Sequence, residues 1–310
     1  MMYVLSRMTY HSSLLGGIIL FTFSLFHAIP SDPARVILGP NASEDQVQAL
    51  RQDLGLDAPL PVQFASYLQR LARFDFGNSY VDRRAVSGEV AEKLKVSLLL
   101  LGMCAIIILV YVATAVAMEF LLARRLAGPV DFLLTSTPTF FSGIVIALLA
   151  FRLYPFSSFS GLFNTIDDAL YCLPPALVLA FYPMASLSRI VRGEIDKIQG
   201  APYIRTAKAF GFSEREILCP FILKNAMVPF LAAMTNQIPI LFTGAFIVEV
   251  IFSLPGIGTL LIKSLLQRDF PMLEGIVILS GMIVIGVHLM SELLYPIIDP
   301  RMRTSNASLG

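Results

Sequence analysis

The 310-residue sequence has no tryptophan, only three histidines and three cysteines, and only 15% charged residues. Each shortage excludes a class of function. Cys104, Cys172 and Cys219 lie far apart and form no C-x-x-C or Cys/His spacing, so they read as small apolar side chains and give neither a disulfide framework nor a metal site. There is no H-E-x-x-H and no Ser/His/Asp grouping, so the chain carries no equipment for hydrolysis and no enzyme activity is expected. No G-x-x-x-x-G-K-[ST] occurs, so the backbone cannot cradle nucleotide phosphates in the usual way. Gly256-Ile257-Gly258 is a lone G-x-G and reads as a loop corner. A net charge of +1 without a basic run gives no footing for nucleic acid. Without tryptophan, an interfacial aromatic belt must rely on Tyr and Phe.

What is abundant is apolar: 56% of the residues. Soluble domains carry about 25% charged residues, so lipid is the second solvent of this chain. A spanning helix needs about 20 mainly apolar residues, and six windows qualify: Tyr10 to Ile29, Val96 to Leu122 with a late charge at Glu119, Val130 to Leu153, Cys172 to Ile190, Val228 to Phe252, and Gly275 to Ile297. Arg7 precedes the first window as in a signal peptide, but no small-x-small cleavage site stands before Pro30, so it is expected to be retained as an anchor.

Short-loop cations set the orientation. Arg124 and Arg125 follow the second window; Arg189, Arg192, Lys197, Arg205, Lys208, Arg215 and Lys224 separate the fourth and fifth; Arg301 and Arg303 end the chain. The Tyr154 to Tyr171 stretch has no Lys or Arg, and Ser253 to Glu274 has only Lys263 and Arg268. The expected fold is therefore an all-α membrane protein with six transmembrane helices and both termini cytoplasmic. Residues 1–310 form one transmembrane domain, with an extracytoplasmic loop at 30–95 and a cytoplasmic loop at 191–227. In the outer loop, Ser43 and Gln46 make a capping-box pattern, Gly55 ends that helix, and Pro59 or Pro61 opens another running to about Arg73 with Phe64, Leu68 and Leu71 on one face. These helices form either a small cap or a plain connector.

The 189–227 stretch is too well patterned for a linker. Pro202 suits a first helical position, and Tyr203, Ile204, Ala207 and Phe210 share one face, while Arg205, Thr206 and Lys208 point elsewhere. Gly211 suits a left-handed C-terminal stop. Ser213 and Glu216 then open a second helix, with Phe212 and Ile217 at staple positions. Such a helix–glycine–helix unit lies on headgroups, packs on its own bundle, or docks into a groove of a soluble partner.

Several residues break or polarise the windows. Pro138, Gly143, Pro183, Pro239 and Gly244 are either tolerated kinks or bends that shape a pore. Asn236 and Gln237, with Pro138 and Pro239, are the candidate pore-lining residues; hydrogen bonding between helices is the alternative for the two amides. Glu249 is read as an ion pair or cap for the following S-L-P-G-I-G turn, His288 and Glu292 as a local pair on one face, and Arg152 as a snorkelling interfacial cation. A proton-driven carrier built on His288, Glu292 and Glu249 is one rival reading, and a scaffold that merely binds a cytoplasmic partner is another.

The stretch LPPALVLAFYPMASLSRIVRGEIDKIQGAPYIRTAKAFGFSEREILCPFILKNAMVPFL resembles the permease subunits of ABC importers, in the dipeptide, oligopeptide and nickel branch. Arg205, Thr206, Ala207 and Gly211 occupy that family's cytoplasmic "EAA" motif, with Arg and Thr substitutions that look usual for the peptide branch. SDPARVILGPNASEDQVQALRQDLGLDAPLPVQFASYL, STPTFFSG, VEVIFSLPGIG, RDFPMLEG and the final DPRMR are also similar to it, in the same order. The resemblance implies a multi-pass subunit of the bacterial inner membrane, paired with a second permease, two ATP-binding cassette subunits and an extracytoplasmic solute-binding protein. It implies that Pro202, Tyr203, Arg205, Thr206, Ala207, Lys208 and Gly211 couple to the ATPase. ATP and Mg would be held by those partner subunits, with no cofactor in this chain. The cargo implied is peptides or similar small polar solutes, metal chelates included.

Overall fold

The computed structural model describes residues 2–28, 32–39, 41–122, 127–153 and 171–298. In chain order the helices are α1 (Met2–Ala28), α2 (Pro33–Leu38), α3 (Glu44–Asp53), α4 (Leu60–Leu71), α5 (Val86–Leu122), α6 (Ala127–Ser136), α7 (Thr139–Leu153), α8 (Leu173–Gln199), α9 (Pro202–Ala209) and α10 (Glu214–Ile217). A π-helical turn (Leu218–Leu223) then leads into α11 (Lys224–Ile251), α12 (Ile257–Gln267) and α13 (Phe270–Ile298). Arg124, Arg125, Arg301, Arg303, the D-P-R-M-R ending and nearly all of the Tyr154–Tyr171 connection lie outside the described residues.

The all-α expectation holds. Five helical stretches, in α1, α5, α8, α11 with its π turn, and α13, are long and apolar enough to cross a membrane, and the bent pair α6–α7 makes a sixth if counted as one span. The third predicted window is thus not a straight helix: α6 and α7 meet at 96°. Pro138 explains the break, since it donates no amide hydrogen and pushes Thr137 out of the helical region. Pro183 and Pro239, by contrast, sit inside continuous helices. Several helices outrun their apolar windows, two of them by about ten residues. α5 starts at Val86, not Val96, and α8 continues to Gln199, not Ile190, because helical hydrogen bonding does not stop where hydropathy does.

The chain forms two compact units, one of Met1–Ser97 with Pro255–Gly286 and one of Leu98–Leu254 with Val287–Gly310. In the first, Phe23 of α1, Tyr67 of α4 and Ile278 of α13 form a buried core with Ile19, Phe64, Leu71, Phe76 and Met282 packed around it. The Ser43–Gln46 capping box is complete, and Gly55 takes φ +68° just beyond α3. The buried face of α4 is rotated from the predicted one: Tyr67 lies between Phe64 and Leu71, and Leu68 stays exposed. The sequence pattern missed α2, where Asp32 caps Ala34 and also accepts a 2.8 Å bond from Arg51 of α3.

A turn at 77–86 docks on the start of α13 in the same unit. The buried Ser79 hydroxyl donates to Asp269 Oδ2 at 2.5 Å, and the Tyr80 amide donates to Oδ1 at 3.0 Å. The loop corner expected at Gly256–Gly258 is a helix start instead: Gly256 is the extended N-cap of α12, and the Ile257 amide donates to Ser97 Oγ at 2.9 Å.

In the second unit α6, α7 and α11 all pack on α8. Gly244 of α11 faces Leu179 so closely that a Cβ there would stand 2.9 Å from its Cδ1. The predicted breakers Gly143 and Gly244 are therefore places of close helix approach, inside helices that stay continuous.

Candidate functional site

The segment from Pro202 to Ile217 is a helix, a left-handed glycine and a second helical start. Pro202 occupies the first turn of α9, where its missing amide costs nothing. At the other end the Phe212 amide donates to Ala207 O at 3.3 Å and the Gly211 amide to Lys208 O at 3.0 Å. That double bond pattern, with Gly211 at φ +87°, is a complete Schellman stop. Two residues later Ser213 and Glu216 cap each other: the Ser213 amide donates to Glu216 Oε2 at 2.8 Å and the Glu216 amide to Ser213 Oγ at 3.4 Å. The Ser213 hydroxyl and amide together hold the Glu216 carboxyl below its ordinary range.

Burial divides this segment sharply. Ile204 and Ile217 are buried and fix it to its own unit. Tyr203 and Phe212 are about half exposed, and Phe210 is 80% exposed. Arg205, Thr206 and Lys208 are exposed on the same short helix. The predicted apolar face is thus split, with Ile204 turned inward and its aromatic neighbours left bare. The π turn that follows was not foreseen; Pro220, which donates no amide hydrogen, is the signal in the sequence.

Deeper in the same unit, Thr139, Leu179, Tyr182, Pro183, Ile240, Leu241 and Gly244 line a cavity of about 60 Å³. It holds a few waters at most. None of the four candidate pore residues lines it, yet Thr139 follows Pro138 and Ile240 follows Pro239. Asn236 and Pro138 are exposed, Pro239 is half-buried, and Gln237 is buried with Oε1 unpartnered among the described residues. Glu249 is fully buried; its backbone carbonyl accepts the Leu254 amide at 2.8 Å. His288 and Glu292 are both half-buried on α13, four residues apart.

One group escaped the reading of the sequence. Asp131 of α6 is fully buried; it accepts a 2.6 Å bond from the Tyr111 hydroxyl of α5 and forms an ion pair with Arg192 of α8. An acidic residue inside an otherwise apolar window was the available signal. Arg192 was assigned to the loop because its helix was expected to stop at Ile190.

Two family models match the chain. Residues 107–304 match the binding-protein-dependent transport system inner membrane component, and residues 1–101 match the N-terminal part of the membrane component of such systems. Among similar proteins, the glutathione transport system permease protein GsiC of Salmonella choleraesuis is 33% identical over 304 residues, covering 97% of this chain and 98% of the relative. The oligopeptide transport system permease protein AppB of Bacillus subtilis is 31% identical over 313 residues, covering 96% and 98%.

Proposed function

Since the chain belongs to the binding-protein-dependent transport system inner membrane components, as a multi-pass ABC importer permease of the peptide and nickel branch, we propose that it forms half of a translocation pathway for short peptides. The relatives named for oligopeptide and glutathione transport support that cargo; a metal chelate of similar size and polarity is a related cargo. Both termini are cytoplasmic in this reading, and residues 30–95 face outward, where a solute-binding protein delivers the cargo. A second permease subunit completes the pathway, and two ATP-binding cassette subunits hold ATP and Mg.

The observation that carries the proposal is the Pro202–Ile217 segment. Aromatic side chains do not stay in water without cost: burying one is worth roughly 1.5–3 kcal/mol. Here Tyr203, Phe210 and Phe212 stand exposed beside Arg205 and Lys208, on a corner made rigid by the Gly211 stop and the Ser213–Glu216 cap. A rigid, amphipathic, protruding corner suits a groove on a soluble partner. Pro202, Tyr203, Arg205, Thr206, Ala207, Lys208 and Gly211 are its ATPase-coupling residues. When the ATPase subunits close on ATP, this corner moves, α8 and α11 tilt, and the pathway alternates between outward and inward access. In this reading Pro138, Asn236, Gln237 and Pro239 line that pathway; Pro138 and Pro239 directly precede Thr139 and Ile240, which line the cavity.

The test is to purify the tagged chain, expressed with its genomic neighbours, in mild detergent and identify its companions by mass spectrometry. A second permease and Walker-A ATPases are expected, and charge reversal at Arg205 and Lys208 should release the ATPases while the second permease stays. Isolation of the chain alone would sink the reading. Gly211→Pro removes both the amide hydrogen and the positive φ; a variant that kept full coupling would also count against it.

A further inference from the structure

The buried group at Asp131 belongs to none of the roles above, and its place in the second unit is informative. Asp131 is 0% exposed and the Arg192 side chain 13%. Arg192 also donates to the Ser188 carbonyl of its own helix at 3.4 Å, which aims the guanidinium across to α6. A buried carboxylate stripped of either partner is strongly disfavoured in a low-dielectric surround. The Arg192–Asp131–Tyr111 link therefore holds α8, α6 and α5 together.

Each helix in that link leads somewhere. α8 runs on for only seven residues beyond Arg192, and then the chain turns through Gly200 and Ala201 into α9, the coupling corner. α6 runs from Asp131 to Ser136, where the 96° bend begins. Thr139, the first residue of α7 after that bend, lines the cavity beside Tyr182 and Pro183 of α8. The charge-assisted bond thus ties α8, which leads into α9, to α6, and the Thr137–Pro138 break stands between α6 and the cavity wall at Thr139.

We propose that Asp131 is a positioning residue for transport: held by Arg192 and Tyr111 throughout the cycle, it makes α5, α6 and α8 move as one body and the Pro138 bend serves as their hinge. The inference rests on the importer reading. Its test uses the whole complex with its binding protein in proteoliposomes, with a mixture of di- to tetrapeptides as the probe. Uptake and ATP hydrolysis are both normalised to folded complex. Asp131→Asn and Arg192→Lys should lower peptide moved per ATP about tenfold, within the usual range of coupling between sites, while ATP hydrolysis without binding protein persists. Tyr111→Phe should lower it about threefold, and the exchange Asp131→Arg with Arg192→Asp should recover part of the loss.

A purely structural link gives a different result: less folded complex, with an unchanged peptide-per-ATP ratio in what remains. That outcome overturns the proposal. If Asp131→Asn does not assemble, Tyr111→Phe and Arg192→Lys decide by the same ratio. A wild-type complex with no ATP-dependent peptide uptake sinks the importer reading and this inference together. A coupled wild type beside variants of unchanged ratio sinks the inference alone.

Discussion

In α4, Phe64, Tyr67 and Leu71 turn toward Phe23 and Ile278 and are covered by their own unit. In α9, Ile204 turns inward while Tyr203 and Phe210 remain outside, Phe210 at 80% exposure. Both helices are short and amphipathic, and both begin at a proline-bearing first turn. They differ in whether the chain supplies the surface for the apolar side. A short helix whose apolar face is covered contributes to folding; one whose face is left bare, yet is closed by a Schellman stop, suits a surface outside the chain.

The comparison breaks most visibly under truncation. Tyr67→Ala removes a buried aromatic ring and should destabilise the first unit by about 3–5 kcal/mol, the usual cost of such a deletion, read as a lowered thermal midpoint of the purified complex. Phe210→Ala should leave that midpoint unchanged and instead weaken retention of the ATPase subunits on the column. If Phe210→Ala also lowered the midpoint, the contrast between covered and bare faces would fail. Tyr67→Phe sharpens the point. The Tyr67 hydroxyl is buried without a partner among the described residues, so its removal should be neutral or stabilising by up to about 1 kcal/mol.

A smaller effect is expected where the first unit holds a turn by polar contacts. Asp269 accepts both the Ser79 hydroxyl and the Tyr80 amide. Ser79→Ala should cost about 1–3 kcal/mol through the stranded acceptor, with faster hydrogen exchange at the Val81 and Asp82 amides, both of which donate to Ser79 Oγ. Exchange in α9 should not change.

How much of this was legible beforehand follows from the same contrast. Local signals were read well: the two capping boxes, the Gly211 stop and the helical identity of each apolar window all depend on residues within four or five positions of one another. What the sequence hid depends on residues far apart. Whether α4 buries Leu68 or Tyr67 is decided by Phe23 and Ile278. Asp131 went unread because its partners stand 20 and 61 positions away, on α5 and α8. Pro138 was legible as a breaker, but the 96° bend was not, since prolines at 183 and 239 sit inside helices that continue through them. α12 was missed because its cap is supplied from Ser97.

The smallest expected effect isolates the two caps. The first unit's box pairs Ser43 with Gln46, and the box of the Pro202–Ile217 corner pairs Ser213 with Glu216. A glutamine does not titrate; a glutamate does. Hydrogen bonds from the Ser213 hydroxyl and amide stabilise the Glu216 carboxylate, so its folded pKa lies below the unfolded one. The cap's contribution is then fully present above the ordinary glutamate range and is lost as pH falls through the lowered folded value. Amides at 213–217, corrected for intrinsic exchange rates, should therefore lose more protection as pH falls below the ordinary glutamate range than those at 43–47, where the cap itself does not titrate and only the first-turn Glu44 and Asp45 do. Ser43→Ala should cost about 1 kcal/mol of local stability at any pH in that range. Equal loss at both caps would mean that acid acts on the fold at large, and that the carboxylate at Glu216 does not set the rigidity of the corner.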